Sequence, residues 1–217
     1  MDTMNLSAEA REFYEGLIAK FKEEHLKGAK LELHETGEVK PSASFLVIKE
    51  DTRTINVLIA PLEHVQTGPG SSDLIANMLV PSMIEEIAKN HGVPLAFSYI
   101  SEGLMRTAKL PEGTKSSSKN MLDHVPADWK DLPTERVLNF TFETQHEEDT
   151  QFFKILETGD KHLNEEGDLV DTCELHEVSF GEPGEKDAKP KSSGGTMHGM
   201  FRKHYHKHEP GRVPTGL

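Results

Sequence analysis

Hydrophobic and polar positions are most regularly ordered over residues 72–105. Apolar residues first recur there at spacings of three and four, which predicts an amphipathic helix. Ser71 or Ser72 is placed to cap this helix, and Asp73 lies in its first turn, where a negative charge suits the helix dipole. Pro81 removes a backbone donor within the pattern, so we expect a kink or two abutting helices there.

A strand pattern follows this helix. His91, Gly92 and Pro94 form a stop signal, and residues 95–100 are then rich in aromatic and β-branched side chains. Apolar residues occupy both faces of this segment. That arrangement is typical of a strand in the interior of a sheet.

Further patterns flank this central segment. Ser7 begins a second amphipathic pattern, which we expect to end as a helix at Gly28. Residues 31–34 alternate between apolar and polar, which predicts a short edge strand. Two hairpins and a last strand are predicted over residues 44–49 with 54–60, 136–144 with 150–158, and 169–180.

These elements predict an α+β fold whose mostly antiparallel sheet of about five to seven strands packs against two main helices. We expect a single domain over residues 1–180, a flexible linker over 181–196 and a basic, His-rich C-terminal arm over 197–217. The predicted core consists of Phe13, Leu17, Phe21, Leu46, Ile48, Val57, Ile59, Ile75, Leu79, Ile84, Ile87, Phe97, Tyr99, Leu138, Phe140, Phe142, Phe153 and Ile155.

Cysteine usage and hydropathy bear on the compartment. The chain has 217 residues and one cysteine, Cys173, which cannot form an internal disulfide. Residues 1–20 lack a signal-peptide pattern, and no apolar run reaches membrane-spanning length. We therefore expect a cytoplasmic protein without membrane contact.

Charge is distributed unevenly along the chain, whose formal net charge is −13. Residues 143–177 hold 12 acidic residues against Lys154 and Lys161, a balance of −10. Residues 200–212 hold four arginine or lysine residues against Glu209, a balance of +3 before histidines. The overall charge argues against wholesale nucleic-acid binding, but the C-terminal arm remains a cationic segment suited to an acidic partner.

Two segments of the chain resemble a known family. The sequence SEGLM at residues 101–105 ends the central strand, and PTERVL at residues 133–138 leads into a strand that ends at Phe142 and Glu143. This combination is similar to small bacterial and phage proteins with a Ser-Glu-Ala-Trp-Met strand end and a later Pro-x-x-Arg segment. Here Gly-Leu replaces Ala-Trp, and the order of Glu and Arg differs. The resemblance implies a microbial or viral origin (the host cytoplasm, if phage-encoded) and nothing about chemistry.

The glycine-rich loop before the central helix is one candidate site. Gly68, Gly70, Ser71 and Ser72 can direct backbone N–H groups at an anion beside a helix N-terminus. The Gly-Lys-Ser/Thr ending of a P-loop is absent, and so is the dinucleotide-binding spacing. The alternative is a connection whose serine only caps the helix.

A second candidate joins His64, Glu102 and Arg106, which follow or end predicted strands. A histidine and a carboxylate can form an acid–base pair or part of a metal site. Alternatively, Glu102 pairs with Arg106 on the surface and His64 is a loop residue.

A third candidate is a set of carboxylates: Asp160, Glu165, Glu166, Asp168 and Asp171. Clustered carboxylates can hold Ca²⁺ or Mg²⁺. Alternatively, they form a solvated acidic turn.

The C-terminal arm is the most specific candidate. His204, His206 and His208 share one side of an extended chain and can bind a divalent transition metal. The partner-binding residues proposed for the arm, with aromatic rings for stacking on bases, are Phe201, Arg202, Lys203, Tyr205, Lys207 and Arg212. Alternatively, the arm docks on the acidic residues 143–177 of this chain or of a neighbour, forming a homo-oligomer, or it is a disordered solubilising tail.

Three functions follow from these candidates. The first is a non-enzymatic interaction or accessory protein whose C-terminal arm engages a partner protein or a nucleic acid. It rests on the charge segregation and on the lack of a strong catalytic motif in the sequence. The second is a metal-dependent hydrolase using His64 and Glu102 or the acidic residues 160–171. The third is a binder of a small phosphate-containing ligand at residues 68–72.

Overall fold

Over the residues that the structure describes, the chain folds as an α+β protein in which a six-stranded antiparallel sheet packs against two main helices, as predicted. The structure is a computed structural model, and it describes residues 8–49, 54–63, 65, 74–106, 128, 131–178 and 201. The strands lie in the order β2-β1-β3-β4-β5-β6. Their bounds are β1 Ser42–Lys49, β2 Thr54–Pro61, β3 Val93–Met105, β4 Glu135–Thr144, β5 Glu148–Leu163 and β6 Leu169–Glu177.

Both predicted hairpins are present: β1 pairs with β2, and β4 pairs with β5. The strand predicted at the centre of the sheet, β3, lies between β1 and β4. It is buried on both faces over Leu95–Ile100, which explains why its apolar residues do not alternate with polar ones. Of the predicted C-terminal arm, only Phe201 lies among the described residues. The predicted linker over 181–196 lies outside them.

The first helix, α1, runs over Ala8–Thr36 and does not end at Gly28 as predicted. A buried Leu33 in its last turns packs on the sheet, so tertiary burial outweighs the low helix propensity of Gly28. The edge strand predicted over residues 31–34 is therefore wrong. The glycine that ends the helix is Gly37, whose φ is 76° and whose N–H donates to the Leu33 carbonyl.

The irregularity expected at Pro81 is a π-helical turn over Ile75–Leu79 that leads directly into α2, Val80–Asn90. The Val80 N–H donates to the carbonyl of Ile75, five residues back. The wider turn precedes the proline, which has no N–H of its own to place in the helical ladder. The predicted cap residues of this helix, Ser71 and Ser72, lie outside the described residues.

The helices cover opposite faces of the sheet and create two hydrophobic cores. In the first core, α1 packs on Leu46, Ile100, Phe140 and other side chains of alternate strand positions. In the second core, the π turn and α2 pack on Phe45, Phe97 and their neighbours. Because strand side chains alternate between faces, β1 and β3 contribute to both cores, whereas the buried apolar residues of β4 and β5 in these clusters belong to the first core.

Most of the predicted core is buried, including Phe21, Ile84, Tyr99 and Ile155. Three predictions are wrong: Phe13 is 58% exposed, Val57 53% and Ile59 66%. Val57 and Ile59 lie on the edge strand β2. Leu17 and Leu79 are half-buried. No helix among the residues that the structure describes combines the length and the apolar character needed to cross a bilayer.

Candidate functional site

Phe201, a residue of the C-terminal arm, lies inside the second core. Its side chain is fully buried, and its ring stacks parallel to that of Phe97 with 6.0 Å between the centroids. Its backbone N–H donates a 2.9 Å hydrogen bond to Glu143 Oε2. We call this arrangement the Phe201 anchor.

Side chains of the sheet form the surface on which Phe201 packs. Phe97 on β3 and Glu143 on β4 are direct cross-strand partners, so the aromatic ring and the carboxylate stand side by side on one face. Phe45 extends the aromatic surface from β1, with its ring centroid 5.1 Å from that of Phe97. Glu143 is itself fully buried. A buried carboxylate needs hydrogen-bond donors, and the N–H of Phe201 is one of them.

The second feature of the site region is an ion pair between Glu102 and Arg136. Arg136 Nη2 lies 2.9 Å from Glu102 Oε2 and 3.1 Å from Oε1, and Arg136 Nε lies 3.3 Å from Oε2. The register places Glu102 two residues along β3 from Leu104, the partner of Arg136, so both side chains stand on the same face. Burial alone would lower the pKa of Arg136, but the hydrogen bond and charge of Glu102 raise it above its ordinary value.

This ion pair also holds the turn after α1. Arg136 Nη2 donates to the Gly37 carbonyl over 2.9 Å, and the Val39 N–H donates to Glu102 Oε1 over 2.6 Å. A cleft of about 500 Å³ opens beside the pair, with Glu38, Glu157 and Asp171 among its lining residues. Because Arg136 also donates to Glu157 over 3.2 Å, its guanidinium is already held by protein groups.

The structure corrects the surface pairing of Glu102 with Arg106. Glu102 binds Arg136 instead, and Arg106 Nε donates to the Leu132 carbonyl over 3.2 Å. Residue 64 lies outside the described residues, so the pairing of His64 with Glu102 stays a prediction. Its neighbour Glu63 contacts Lys40 Nζ at 3.4 Å.

The acidic residues 160–171 surround a turn that Asn164 organises. Asn164 Oδ1 accepts hydrogen bonds from the N–H groups of Glu166 and Asp168, and its Nδ2 donates to the Glu35 carbonyl at the end of α1. The Glu165 N–H donates to the Glu35 carboxylate, and this bond lowers the pKa of Glu35. Among the described residues, no group of three or more His, Cys, Asp or Glu side chains is placed to hold a metal ion.

A Ser–His–Ser cluster lies between α1 and the sheet, with both serines buried and the histidine half-buried. His25 Nδ1 is hydrogen-bonded to Ser98 Oγ, and His25 Nε2 lies 3.2 Å from Ser44 Oγ. Burial lowers the pKa of His25 to about 4. A histidine beside a serine hydroxyl is the pairing that activates a nucleophile. Here both serines are closed off from solvent, so the cluster satisfies polar groups within the first core.

The remaining predicted site residues lie outside the described residues. They include the loop residues Gly68, Gly70, Ser71 and Ser72 and the three histidines His204, His206 and His208. They also include the other partner-binding residues of the arm: Arg202, Lys203, Tyr205, Lys207 and Arg212. Roles for all of these remain predictions.

Neither the family models, the curated proteins nor the solved structures with which the chain was compared gave a match. The two segments that resemble the bacterial and phage family are neighbours in the fold. The register of β3 and β4 pairs Ser101 with Asn139 and Met105 with Glu135. The glutamate of one segment and the arginine of the other therefore form the Glu102–Arg136 pair.

Sequence reasoning missed three features of this region. Glu102 and Arg136 each lie in one of the two family-like segments, which is a signal in the sequence. Their separation in the sequence, however, does not show that the two side chains meet. His25 had a signal because it follows Phe21 by four residues on the apolar face of α1. The burial of Phe201 had no periodic signal, because Met200 is the one apolar residue beside it and basic residues follow it in the sequence.

Proposed function

We propose that this protein is a non-enzymatic interaction protein whose C-terminal arm binds an acidic surface of a partner protein. The Phe201 anchor is the observation that carries the proposal. It ties the arm to the sheet through a stacked ring and a buried hydrogen bond. Arg202 and Lys203 follow this anchor directly in the sequence, so the cationic stretch begins at a defined point of the domain.

The anchor favours a protein partner over a nucleic acid. Base stacking requires an accessible aromatic face, but the ring of Phe201 is fully buried. Tyr205 is then the one aromatic residue left in the arm after the anchor. The basic residues can still pair with carboxylates of a partner, as short cationic segments commonly do.

The anchor also supports binding with less loss of entropy. A free tail must lose its whole conformational freedom when it binds, whereas a tail fixed at one end has fewer conformations to lose. Residues 202–217, which include the basic residues of the arm, can reach at most roughly 55 Å from Phe201 when fully extended. The partner is therefore expected close to the α2 face of the sheet.

The test compares three untagged chains purified from the source cells and analysed by native mass spectrometry. These are the full chain, a chain ending at Phe201 that keeps the anchor, and a full chain with Arg202, Lys203 and Lys207 changed to glutamine. We expect one protein partner to bind the full chain and to be lost from both variants. A partner retained by the chain ending at Phe201 would show that the arm is not the binding element. A partner lost on nuclease treatment would point to nucleic acid instead.

A further inference from the structure

The two edges of the sheet differ sharply in charge. The strand order places β2 at one edge and β6 at the other. An edge strand presents backbone donors and acceptors to other chains, and proteins commonly protect it with charged residues, prolines or bulges. β6 carries Asp171, Glu174 and Glu177. A second copy approaching that edge would meet like charges.

β2, with the sequence TINVLIAP, carries no charged residue and no proline before its last position. The β1 register places Val57 opposite Leu46 and Ile59 opposite Ser44, on the face that α1 covers over the interior strands. Ile55 of β2 still packs against the first core, but Val57 and Ile59 remain more than half exposed. The result is an exposed apolar strip along an uncharged edge.

We propose that β2 pairs antiparallel with β2 of a second copy of this chain, which joins two sheets across a two-fold axis. Two copies with a formal charge of −13 each repel one another, and a contact along the uncharged β2 brings fewer like charges together than one along β6. A strand paired with its own copy forms an isologous contact in which every interaction occurs twice. Such a contact closes at two copies.

The exposed side chains select the register. With the axis at Leu58, Val57 of each copy stands opposite Ile59 of the other, on the same face of the joined sheet. The two exposed large hydrophobic side chains of the strand then cover each other, and cross-strand pairs of β-branched residues stabilise sheets. This contact uses neither the Phe201 anchor nor the C-terminal arm, so it is independent of the proposed function.

The first test measures the mass of the full chain by sedimentation velocity across a hundredfold range of concentration. We expect a concentration-dependent dimer and no larger species. Val57→Lys with Ile59→Lys is expected to give a monomer with an unchanged circular dichroism spectrum. The matched control is Leu163→Lys with Leu169→Lys, because those residues are 67% and 63% exposed at the other side of the sheet.

The control variant is expected to remain dimeric. A wild-type chain that is monomeric at every concentration would overturn the proposal. So would a dimer that survives both lysines in β2, or one that the control abolishes equally.

The second test is disulfide cross-linking in a Cys173→Ser background. Directly opposed residues in an antiparallel pair have Cα atoms close enough for a disulfide. Leu58→Cys is therefore expected to give a covalent dimer on oxidation. Ala60→Cys, which the register separates from its copy by four residues along the strand, is expected to stay monomeric. Cross-linking through Ala60→Cys but not Leu58→Cys would overturn this register.

Discussion

The N–H of Phe201 donates to the buried carboxylate of Glu143 over 2.9 Å, although 58 residues separate the two in the sequence. The same phenylalanine stacks on Phe97, the cross-strand partner of Glu143. A residue of the C-terminal arm is thus part of the hydrophobic core. We expect the stability of the domain and the position of the arm to depend on one another.

Replacing Phe201 with alanine is expected to destabilise the protein by about 3 kcal/mol, because a fully buried ring is removed from a packed core. Urea denaturation followed by circular dichroism measures this change. Phe13→Ala is the matched control, since Phe13 is mostly exposed and its loss is expected to cost less than about 1 kcal/mol. Equal losses of unfolding free energy in Phe201→Ala and Phe13→Ala would contradict the burial of Phe201.

Arg136→Met is expected to lower the free energy of unfolding by about 1–3 kcal/mol. The change leaves the partly buried Glu102 without its bidentate partner and the Gly37 carbonyl without its donor. Lys161→Met breaks a pair with Asp171 in which both side chains are about half exposed, and it is expected to cost less than about 0.5 kcal/mol. Adding Glu102→Gln to Arg136→Met tests the coupling. The loss of unfolding free energy in the double variant should be smaller than the sum of the losses in the two single variants. Strict additivity of these losses would contradict a direct pair.

His25 is expected to make the protein less stable as the pH falls from about 6.5 to 4. Burial lowers its pKa to about 4 in the folded state, whereas the unfolded chain takes up a proton near its ordinary pKa of 6.5. Between these values the unfolded state binds more protons, so acidification favours unfolding, by about 1 kcal/mol per pH unit. Above the unfolded pKa this contribution to stability is fully present.

Denaturation curves of wild type and His25→Gln at pH 7 and pH 5 check this pH dependence. Between pH 7 and pH 5, the free energy of unfolding is expected to change less in the variant than in wild type. His91→Gln, at an exposed position after α2, is expected to keep that difference. An identical pH dependence in wild type and His25→Gln would show that His25 does not titrate in this window.

Two glycines are expected to respond oppositely to alanine. Gly92 has a φ of 124°, and a Cβ there would lie 2.2 Å from the Ile48 carbonyl oxygen, so Gly92→Ala should destabilise the protein by more than about 2 kcal/mol. Gly16 lies within α1 with nothing within 4 Å of a Cβ, so Gly16→Ala should stabilise it by roughly 0.5–1 kcal/mol. Thermal and urea denaturation measure both. A stabilising Gly92→Ala would contradict the close approach of Gly92 to the Ile48 backbone of β1.

The hairpins were predictable because each depends on residues close in the sequence. Alternating apolar residues on both sides of a short connection predict two antiparallel strands, as found for β1 with β2 and β4 with β5. The exposure of Val57 and Ile59 was not predictable in this way. Their pattern is that of a buried strand, and only the position of β2 at the edge of the sheet leaves them uncovered.

The sequence by itself determined the α+β class, the central position of β3 and the irregularity before Pro81. These follow from local periodicity, from apolar residues on both faces of one strand and from the missing N–H of a proline. The tertiary structure alone decided that Glu102 binds Arg136, that His25 lies between two serines and that Phe201 enters the core. Each of these contacts joins residues far apart in the chain. Such partners are set by strand order and register, which local patterns do not contain.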